Sequence, residues 1–297
     1  MIKDNLEIML QCILSRKEVV IIYSWTAMIG LAIAYRGFPP LLLALQLFLS
    51  MSSIGYGVYF FNDICDFDED LRSRELGNST PSNRPLGTGK VSKRQLMSFT
   101  AFFVILGLAV SLLINLQVFL LQSLFLVLGY IYSTTPLRIK KRFLLKQLTI
   151  SIGGAIACLL GGLAVGELSN YVLFFTGMSF IQIFTVNPII DLRDIEGDRE
   201  VGINTIPVKF GPKFTVRLAV VVLLASIPAA IMGFYNLGFN VALPILGAIV
   251  FTATVIVIYP LMDRWQDAAF INKTITRRMY PLFLMIQMVF LLGSLPL

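Results

Sequence analysis

Two sets of aspartates with the same spacing stand out as residues that could hold metal ions. Both sets follow the pattern D-x-x-D-x-x-x-D, and each comes directly after a long apolar run, 41–61 for the first and 171–190 for the second. On a helix, positions i, i+3 and i+7 share one face, so each set is expected to form a stripe of three carboxylates. So much negative charge at the end of a membrane helix is unfavourable unless cations join it. The aspartates are Asp63, Asp66 and Asp70 in the first set, and Asp191, Asp194 and Asp198 in the second.

The chemistry that these carboxylates predict is the binding of Mg²⁺ together with a phosphorylated ligand. Carboxylate oxygens suit hard cations, and Mg²⁺ prefers one or two carboxylates with water and substrate phosphates. Six aspartates exceed the need of one ion, but they suit two or more ions that face each other across a diphosphate. Asn62 lies four residues before Asp66 and adds a neutral carbonyl oxygen on the same face. Because the chain contains no histidine, histidine bases, metal ligands and haem ligands are excluded.

A diphosphate leaving group also needs positive charge beyond the metal ions, and two places in the chain supply it. Segment 132–142 carries four cations directly after an apolar run, and Arg84 is a second source. A basic cluster at the end of a span also serves as a cytoplasmic anchor, which by itself accounts for most of these charges. The candidates in the segment are Arg138, Lys140 and Lys141.

The elements that must position these residues are membrane-spanning helices. Of the 297 residues, 57% are hydrophobic and 14% are charged, whereas soluble domains have about 25% charged residues. Runs of roughly 18 or more apolar residues predict about nine spans, and two of them, joined near residue 116, are together too long for one span. The predicted spans are 18–35, 39–61, 95–115, 117–133, 147–166, 170–190, 214–235, 239–261 and 279–296.

The distribution of charge predicts that both aspartate sets lie on the cytoplasmic side. With nine spans, one side receives the N terminus and the long polar segments, and it holds every lysine and arginine except Arg36. By the positive-inside rule this side is cytoplasmic. It also holds every acidic residue except Glu167. The formal net charge of +7 therefore suits anionic membrane lipid or a phosphorylated substrate rather than nucleic acid.

The organisation of the chain predicts one polytopic domain. No glycine- and serine-rich linker divides the sequence, so residues 1–297 are expected to form a single all-helical domain. Residues 1–16 have an apolar stripe opposite polar residues, which predicts an amphipathic helix on the membrane surface rather than a cleaved signal peptide. After each aspartate set the chain passes through a turn with proline and glycine into basic residues. This pattern indicates a weak relation between two halves around 39–94 and 170–213.

At these residues the chain resembles the UbiA-type superfamily of intramembrane prenyltransferases. The family motif N-D-x-x-D-x-x-x-D corresponds to residues 62–70, and a second motif centred on D-x-x-x-D corresponds to 194–198. The resemblance covers almost the whole chain. One departure is Asn204, where many relatives carry lysine in the second loop. The further patterns R-P-L, Y-S-x-x-x-L-[KR] and T-[IL]-P-V-x-x-G match residues 84–86, 132–138 and 205–211.

The resemblance implies about nine transmembrane helices around a central cavity, with the active site on polar loops of the cytoplasmic side. It also implies a prenyltransferase. A polyprenyl diphosphate such as geranylgeranyl diphosphate would donate its prenyl group to a lipophilic acceptor within the membrane, through an allylic cation and with release of pyrophosphate. Acceptors in the family include quinone and aromatic precursors and geranylgeranylglyceryl phosphate. Two or more Mg²⁺ ions would be bound with the diphosphate.

Carried over to this sequence, the resemblance assigns roles to individual residues. The residues expected to be catalytic, because they hold Mg²⁺ on the diphosphate, are Asp66, Asp70, Asp194 and Asp198. The expected metal ligands further include Asn62, Asp63 and Asp191. The residues expected to bind the diphosphate are Asn62, Arg84, Tyr132, Arg138, Lys140 and Lys141. A tyrosine at the end of a span, such as Tyr132, more often serves as a packing or interfacial aromatic.

Two other classes of function are compatible with the residues. A membrane transporter or ion-binding protein could use the two aspartate clusters as an ion site. Transporter sites usually lie near the bilayer centre on broken helices, whereas these aspartates fall at the ends of spans beside long polar loops. A lipid-binding scaffold without activity is the third reading, and the presence of both complete motifs argues against it. The sequence does not indicate an oligomeric state.

Overall fold

The helices of the protein are long and apolar enough to cross a membrane. The computed structural model describes residues 2–75, 84–86, 88–200 and 202–296. In these ranges eight helices meet the requirement for a span, and nine do if the bent pair Asn5–Ser15 and Val19–Tyr35 forms one span. The same ranges contain no β-strand, only an isolated bridge between Leu86 and Val91. The predicted all-α integral membrane fold is confirmed.

Fourteen α-helices follow one another along the described part of the chain. In the part of the chain that the structure describes, the α-helices are α1 (Ile2–Ser15), α2 (Trp25–Tyr35), α3 (Leu41–Glu75), α4 (Lys93–Ile114), α5 (Leu116–Ser133), α6 (Leu145–Val165), α7 (Asn170–Val186), α8 (Ile195–Glu200), α9 (Ile206–Phe210), α10 (Pro212–Leu237), α11 (Ala242–Ile258), α12 (Leu261–Arg264), α13 (Ala268–Thr274) and α14 (Tyr280–Ser294). Between them lie the π-helical segments Val19–Ser24 and Ile275–Met279 and the 3-10 segments Ile139–Lys141 and Asn187–Asp194.

The first aspartate set lies on the same helix as the span that precedes it. Helix α3 continues without a break beyond residue 61, where the predicted span ends, and reaches Glu75. Asp63 and Asp66 therefore extend from the end of the span on a continuous helix, as the spacing predicted.

The second aspartate set differs from the expected α-helical stripe. Helix α7 ends at Val186, and a 3-10 segment with Pro188 in its first turn follows. Proline has no backbone N–H to donate and its ring disfavours continuation of the preceding turn, which explains the change of helix type. Asp191 and Asp194 still lie on one side, because residues i and i+3 are eclipsed in a 3-10 helix, and Asp198 follows on α8.

One asparagine fixes the turn between α4 and α5. The side-chain oxygen of Asn115 accepts a hydrogen bond from the Val118 amide at 2.8 Å and caps α5. Its side-chain nitrogen donates to the carbonyl of Leu163 on α6, also at 2.8 Å. An asparagine cap satisfies backbone donors that a helix start otherwise leaves unpaired. The predicted division of this region into two spans is confirmed.

Helix α2 packs against α6 with almost no space between the two backbones. A Cβ atom at Gly30 would overlap the carbonyl of Cys158, and one at Gly161 would overlap the amide nitrogen of Leu31. Small residues allow such close approach between membrane helices, where packing rather than exclusion of water drives association. The contact fixes α2 and the π-helical segment that leads into it.

Helix α1 meets the first span at a bend of 61°. The outward side chains Leu6, Leu10 and Leu14 are each more than half exposed, whereas Cys12 is buried among residues of α3 and α4. The helix predicted for residues 1–16 is therefore formed, with an apolar face directed away from the protein. Its location on the membrane surface stays a prediction.

Candidate active site

A cavity of about 360 Å³ lies between the membrane spans. Helices α3, α5, α6, α7 and α14 and both π-helical segments contribute to its wall, which consists mainly of apolar side chains. The wall includes residues from both motif regions, since Asn62 belongs to the first and Asn187 lies four residues before Asp191. Polar residues of the wall include Glu18, Tyr59, Asn62, Tyr132, Asn187 and Gln287.

Asp63 is buried against arginines. Only 4% of the residue is exposed, and its carboxylate accepts hydrogen bonds from two nitrogens of the Arg16 guanidinium, from Nε at 3.0 Å and from Nη2. Nη1 of Arg84 lies 3.4 Å from the same carboxylate. The Arg16 guanidinium also lies over the ring of Tyr59, 5.2 Å from its centroid. This group ties the turn after α1 to the polar end of α3.

Asp66 faces the basic segment after α5. It forms an ion pair with Lys140, and Nη2 of Arg138 lies 3.6 Å from its carboxylate. One turn earlier, the side-chain amide of Asn62 donates to the hydroxyl of Ser133, the last residue of α5, at 3.1 Å. The structure thus brings together the residues that were predicted as metal and diphosphate ligands from two separate segments.

The second aspartate set is gathered around Lys146. The ammonium group of Lys146 donates to Asp191 at 2.9 Å and also acts electrostatically on Asp198. Asp191, Asp194 and Asp198 are close enough to repel one another. Mutual repulsion of this kind favours the binding of a cation.

Tyr132 lies near both aspartate sets. It is close enough to Asp66 of the first set and to Asp191 and Lys146 of the second for their charges to act on its hydroxyl group. Its side chain belongs to the cavity wall. The predicted ligand Tyr132 therefore lies where the two carboxylate sets and the cavity meet.

The remaining predicted ligands are placed less completely. Lys141 ends the 3-10 segment after Arg138 and has interactions within the protein. The side chain of Asp70 lies outside the part of the chain that the structure describes, although its backbone belongs to α3. The roles of Asp63 as a metal ligand and of Arg84 as a diphosphate ligand stay predictions, and in the structure Asp63 pairs with both Arg16 and Arg84.

The carboxylates suit Mg²⁺ as ligands that it shares with a substrate. Among the side chains that the structure describes, no three acidic or cysteine groups are close enough to hold a metal ion by themselves. Mg²⁺ does not require such a cage, because it keeps several waters and takes further oxygens from substrate phosphates. Lys140 and Lys146 each pair with one carboxylate, one in each set, and so offset part of the negative charge. The hard oxygen donors and the absence of histidine fit Mg²⁺.

Three residues of this region were missed by the sequence analysis: Arg16, Glu18 and Lys146. Arg16 and Glu18 stand between the amphipathic segment and the first span, and Lys146 stands one residue inside α6. Each is a charged residue at the edge of an apolar run, which also describes an ordinary membrane anchor. Only the packing of the helices distinguishes these residues from anchors.

Replacement of Arg16 by methionine is expected to lower the stability of the protein. The substitution leaves the buried Asp63 with a weaker partner, and breaking a buried ion pair costs about 3 kcal/mol or more. The midpoint of thermal unfolding in detergent is expected to fall by several degrees, whereas Lys17→Met, at an exposed neighbour, should leave it unchanged. The double variant Arg16→Met/Asp63→Asn should recover part of the loss. A single variant as stable as the original protein would contradict the structural role of the pair.

Comparison with known proteins relates the chain to prenyltransferases. The model of the UbiA prenyltransferase family matches residues 23–277. A digeranylgeranylglyceryl phosphate synthase from Sulfolobus acidocaldarius is 29% identical over 201 residues, which cover 65% of this chain and 66% of that relative. A synthase of the same name from Korarchaeum cryptofilum is 27% identical over 163 residues, 55% of this chain and 57% of the relative. The chain thus spans less than two thirds of these two relatives.

A longer match and two solved structures extend the comparison. A digeranylgeranylglyceryl phosphate synthase from Sulfurisphaera tokodaii is 25% identical over 258 residues, which cover 85% of this chain and 87% of that relative. The structure of a UbiA homologue from Archaeoglobus fulgidus bound to DMAPP and Mg²⁺ has a TM-score of 0.72 and 20% identity, covering 96% of this chain and 97% of its own. A structure of digeranylgeranylglyceryl phosphate synthase has a TM-score of 0.73 and 23% identity, covering 99% of each chain. At these identities the two structures show the fold.

Proposed function

Because the chain belongs to the UbiA prenyltransferase family, and is therefore a membrane enzyme that transfers prenyl groups, we propose that it transfers the prenyl group of geranylgeranyl diphosphate to geranylgeranylglyceryl phosphate. The observation that carries the proposal is that one cavity wall contains Asn62, which precedes Asp63 of the first set, and Ile190, which precedes Asp191 of the second. The choice of acceptor is supported by the relatives compared above, which are named as synthases of the digeranylgeranyl product. A quinone or aromatic precursor is the alternative acceptor.

The diphosphate of the donor is proposed to lie between the two aspartate sets. When bound there in two or more copies, Mg²⁺ supplies positive charge that stabilises the leaving pyrophosphate. Further positive charge is contributed by Lys140, which pairs with Asp66, by Lys146, which pairs with Asp191, and by Arg138 near Asp66. The oxygen ligands proposed to hold the metal ions are Asn62, Asp66, Asp70, Asp191, Asp194 and Asp198.

The cavity is proposed to hold the prenyl chain. Its wall between α3, α5 and α6 is apolar, with residues such as Val58, Phe125 and Gly153. An apolar, water-excluded cavity protects an allylic cation from capture by water until the acceptor reaches it. It also strengthens the electrostatic stabilisation of the leaving group, because the local dielectric constant is low.

The active site is proposed to face the cytoplasm. The eight or nine apolar helices and the family make the chain an integral membrane protein. The orientation rests on the charges, since every lysine and arginine except Arg36 falls on the side of the aspartate sets in the nine-span arrangement.

Arg138→Ala is expected to weaken donor binding more than acceptor binding. Arg138 lies 3.6 Å from Asp66, at the place proposed for the diphosphate. Because a hydrogen bond to a charged group contributes about 1.5–3 kcal/mol, the KM for geranylgeranyl diphosphate should rise by about one order of magnitude or more. The matched control is Arg142→Ala, in the same segment but exposed. Equal increases in the KM for the donor and the KM for the acceptor would contradict the assignment of Arg138 to the donor site.

The proposed function is tested directly with the purified protein in detergent. Mg²⁺-dependent release of pyrophosphate from geranylgeranyl diphosphate is measured with geranylgeranylglyceryl phosphate, with hydroxybenzoate and naphthoate acceptors, and without acceptor. Release that depends on geranylgeranylglyceryl phosphate, with the doubly prenylated lipid as product, is the expected result. Transfer only to an aromatic acceptor would show that the acceptor is not geranylgeranylglyceryl phosphate. Pyrophosphate release at the same rate in the absence of acceptor would contradict the proposal.

A further inference from the structure

One carboxylate lies in the wall of the cavity itself. In the part of the chain that the structure describes, Glu18 is the single wall residue with a charged side chain. Its side chain is 28% exposed, so it is partly accessible. A carboxylate among apolar membrane helices is unfavourable unless it has partners or a function. The aspartate sets are explained by metal ions and diphosphate, whereas Glu18 is not.

Glu18 is held at the same end of the cavity as the first aspartate set. Nη1 of Arg16 donates to its carboxylate at 3.1 Å, while Nε and Nη2 of the same guanidinium bind Asp63. Asp63 follows Asn62, which also lines the cavity. One guanidinium thus fixes the position of Glu18 relative to the residues proposed to hold the donor. A single hydrogen bond from Arg16 leaves further lone pairs of the carboxylate able to accept from a ligand.

The backbone around Glu18 has an uncommon form. The π-helical segment Val19–Ser24 begins directly after it, and a second π-helical segment, Ile275–Met279, also contributes to the cavity wall. Such wide turns are rare and occur frequently at functional sites. The close packing of Gly30 on α6 holds the helix that follows Val19–Ser24 in place.

We propose that Glu18 binds the hydroxyl group of the acceptor and takes up its proton. This inference rests on the proposed function and specifies an alcohol as the class of acceptor. The C1–O bond of the donor breaks and its electron pair leaves with the pyrophosphate. A lone pair of the acceptor oxygen then forms the new C1–O bond, and the hydroxyl proton passes to the Glu18 carboxylate. An acceptor that is alkylated on an aromatic carbon forms a C–C bond instead and loses its proton from that ring carbon, so it presents no reacting hydroxyl group to Glu18.

A purely structural role makes a different prediction for Glu18. If it only orients Arg16, an uncharged side chain of the same shape that still accepts from Arg16 should be sufficient. Glu18→Gln is such a change, because the amide oxygen can accept the hydrogen bond from Nη1 but glutamine cannot take up a proton. Glu18→Asp keeps the carboxylate and shortens its reach by one methylene.

The experiment compares these variants of the full chain in detergent with geranylgeranyl diphosphate, Mg²⁺ and geranylgeranylglyceryl phosphate. Since general acid–base catalysis contributes about 10²–10⁴-fold, Glu18→Gln is expected to lower kcat/KM for the acceptor by about 10²-fold or more. Equilibrium binding of geranylgeranyl diphosphate with Mg²⁺ in the absence of acceptor should remain unchanged, as should the unfolding temperature. Glu18→Asp should be less impaired than Glu18→Gln. The matched control is Glu7→Gln at an exposed glutamate of α1, which should behave like the original protein.

Two results would overturn the inference. Full transfer by Glu18→Gln would show that no proton is taken up there, and an equal loss of donor binding and transfer would indicate a structural role. Failure of the proposed function is distinguishable from both, because in that case the protein without substitutions transfers no prenyl group to any alcohol acceptor.

Discussion

Asp66→Asn is expected to reduce prenyl transfer by about 10³-fold, the loss typical of removing one fixed electrostatic group from an active site. Asp66 is the carboxylate that Lys140 and Arg138 approach, at the polar end of α3 that begins with the cavity-wall residue Asn62. Asparagine keeps the shape of the side chain and can still accept from Lys140, but it removes the charge that a metal ion needs. The loss should appear mainly in kcat, because the charge on the leaving group is greatest as the bond breaks.

The matched control for this prediction is Asp68→Asn. Asp68 lies two residues further along α3, its side chain is 81% exposed, and it forms a surface ion pair with Lys93 at 3.4 Å. Surface pairs of this kind contribute about 0–1 kcal/mol, so neither stability nor activity should change appreciably. Both variants are to be compared by initial rates and by thermal unfolding in the same detergent. Substantial activity in Asp66→Asn would contradict the placement of the diphosphate between the two sets.

Removal of divalent metal ions is expected to abolish transfer completely. The two aspartate sets and the diphosphate are all anionic, and Arg138, Lys140 and Lys146 already pair with Asp66 and Asp191, so the diphosphate adds negative charge that these cations do not fully offset. Stabilisation of the departing pyrophosphate therefore depends on Mg²⁺. Treatment with EDTA should reduce product formation to the background of the reaction without protein.

The control for chelation is EDTA that has been saturated with Mg²⁺ beforehand. It should not inhibit, and Mg²⁺ in excess of EDTA should restore the initial rate of a treated sample. Transfer that persists after EDTA treatment and dialysis would contradict metal-dependent catalysis. Loss of activity without recovery on addition of Mg²⁺ would point instead to unfolding of the protein during chelation.

Much of the fold follows from local properties of the sequence. Lengths of apolar runs predict spans because the bilayer imposes one thickness on every helix, and Asn115 marks a boundary by its capping chemistry. Residue type and spacing also predict that the aspartates bind metal ions, and this assignment stays a prediction. The change to a 3-10 helix before Asp191 was not predicted, although Pro188 is the residue that causes it.

The parts of the site that were not predicted depend on which helices are neighbours. Arg16 is separated from Asp63 by 47 residues, and Lys146 from Asp191 by 45. In the sequence alone, neither cation differs from any other charged residue at the edge of a span, because its partner is known only once the helices are packed. Glu18 acquires its place in the cavity wall in the same way, because α2 packs closely on α6 through Gly30.

In the proposed site, the ion pairs of Lys140 with Asp66 and of Lys146 with Asp191 would make the affinities for cation and anion interdependent. Each carboxylate would bind a metal ion and each lysine the diphosphate, so binding of one ligand would release the partner that the other requires. Thermodynamic linkage makes this coupling reciprocal: the factor by which the diphosphate raises the affinity for Mg²⁺ equals the factor by which Mg²⁺ raises the affinity for the diphosphate. The lysines would thereby weaken the binding of either ion alone. The site would bind Mg²⁺ and diphosphate together more tightly than the separate affinities predict, and so would select the metal–diphosphate complex.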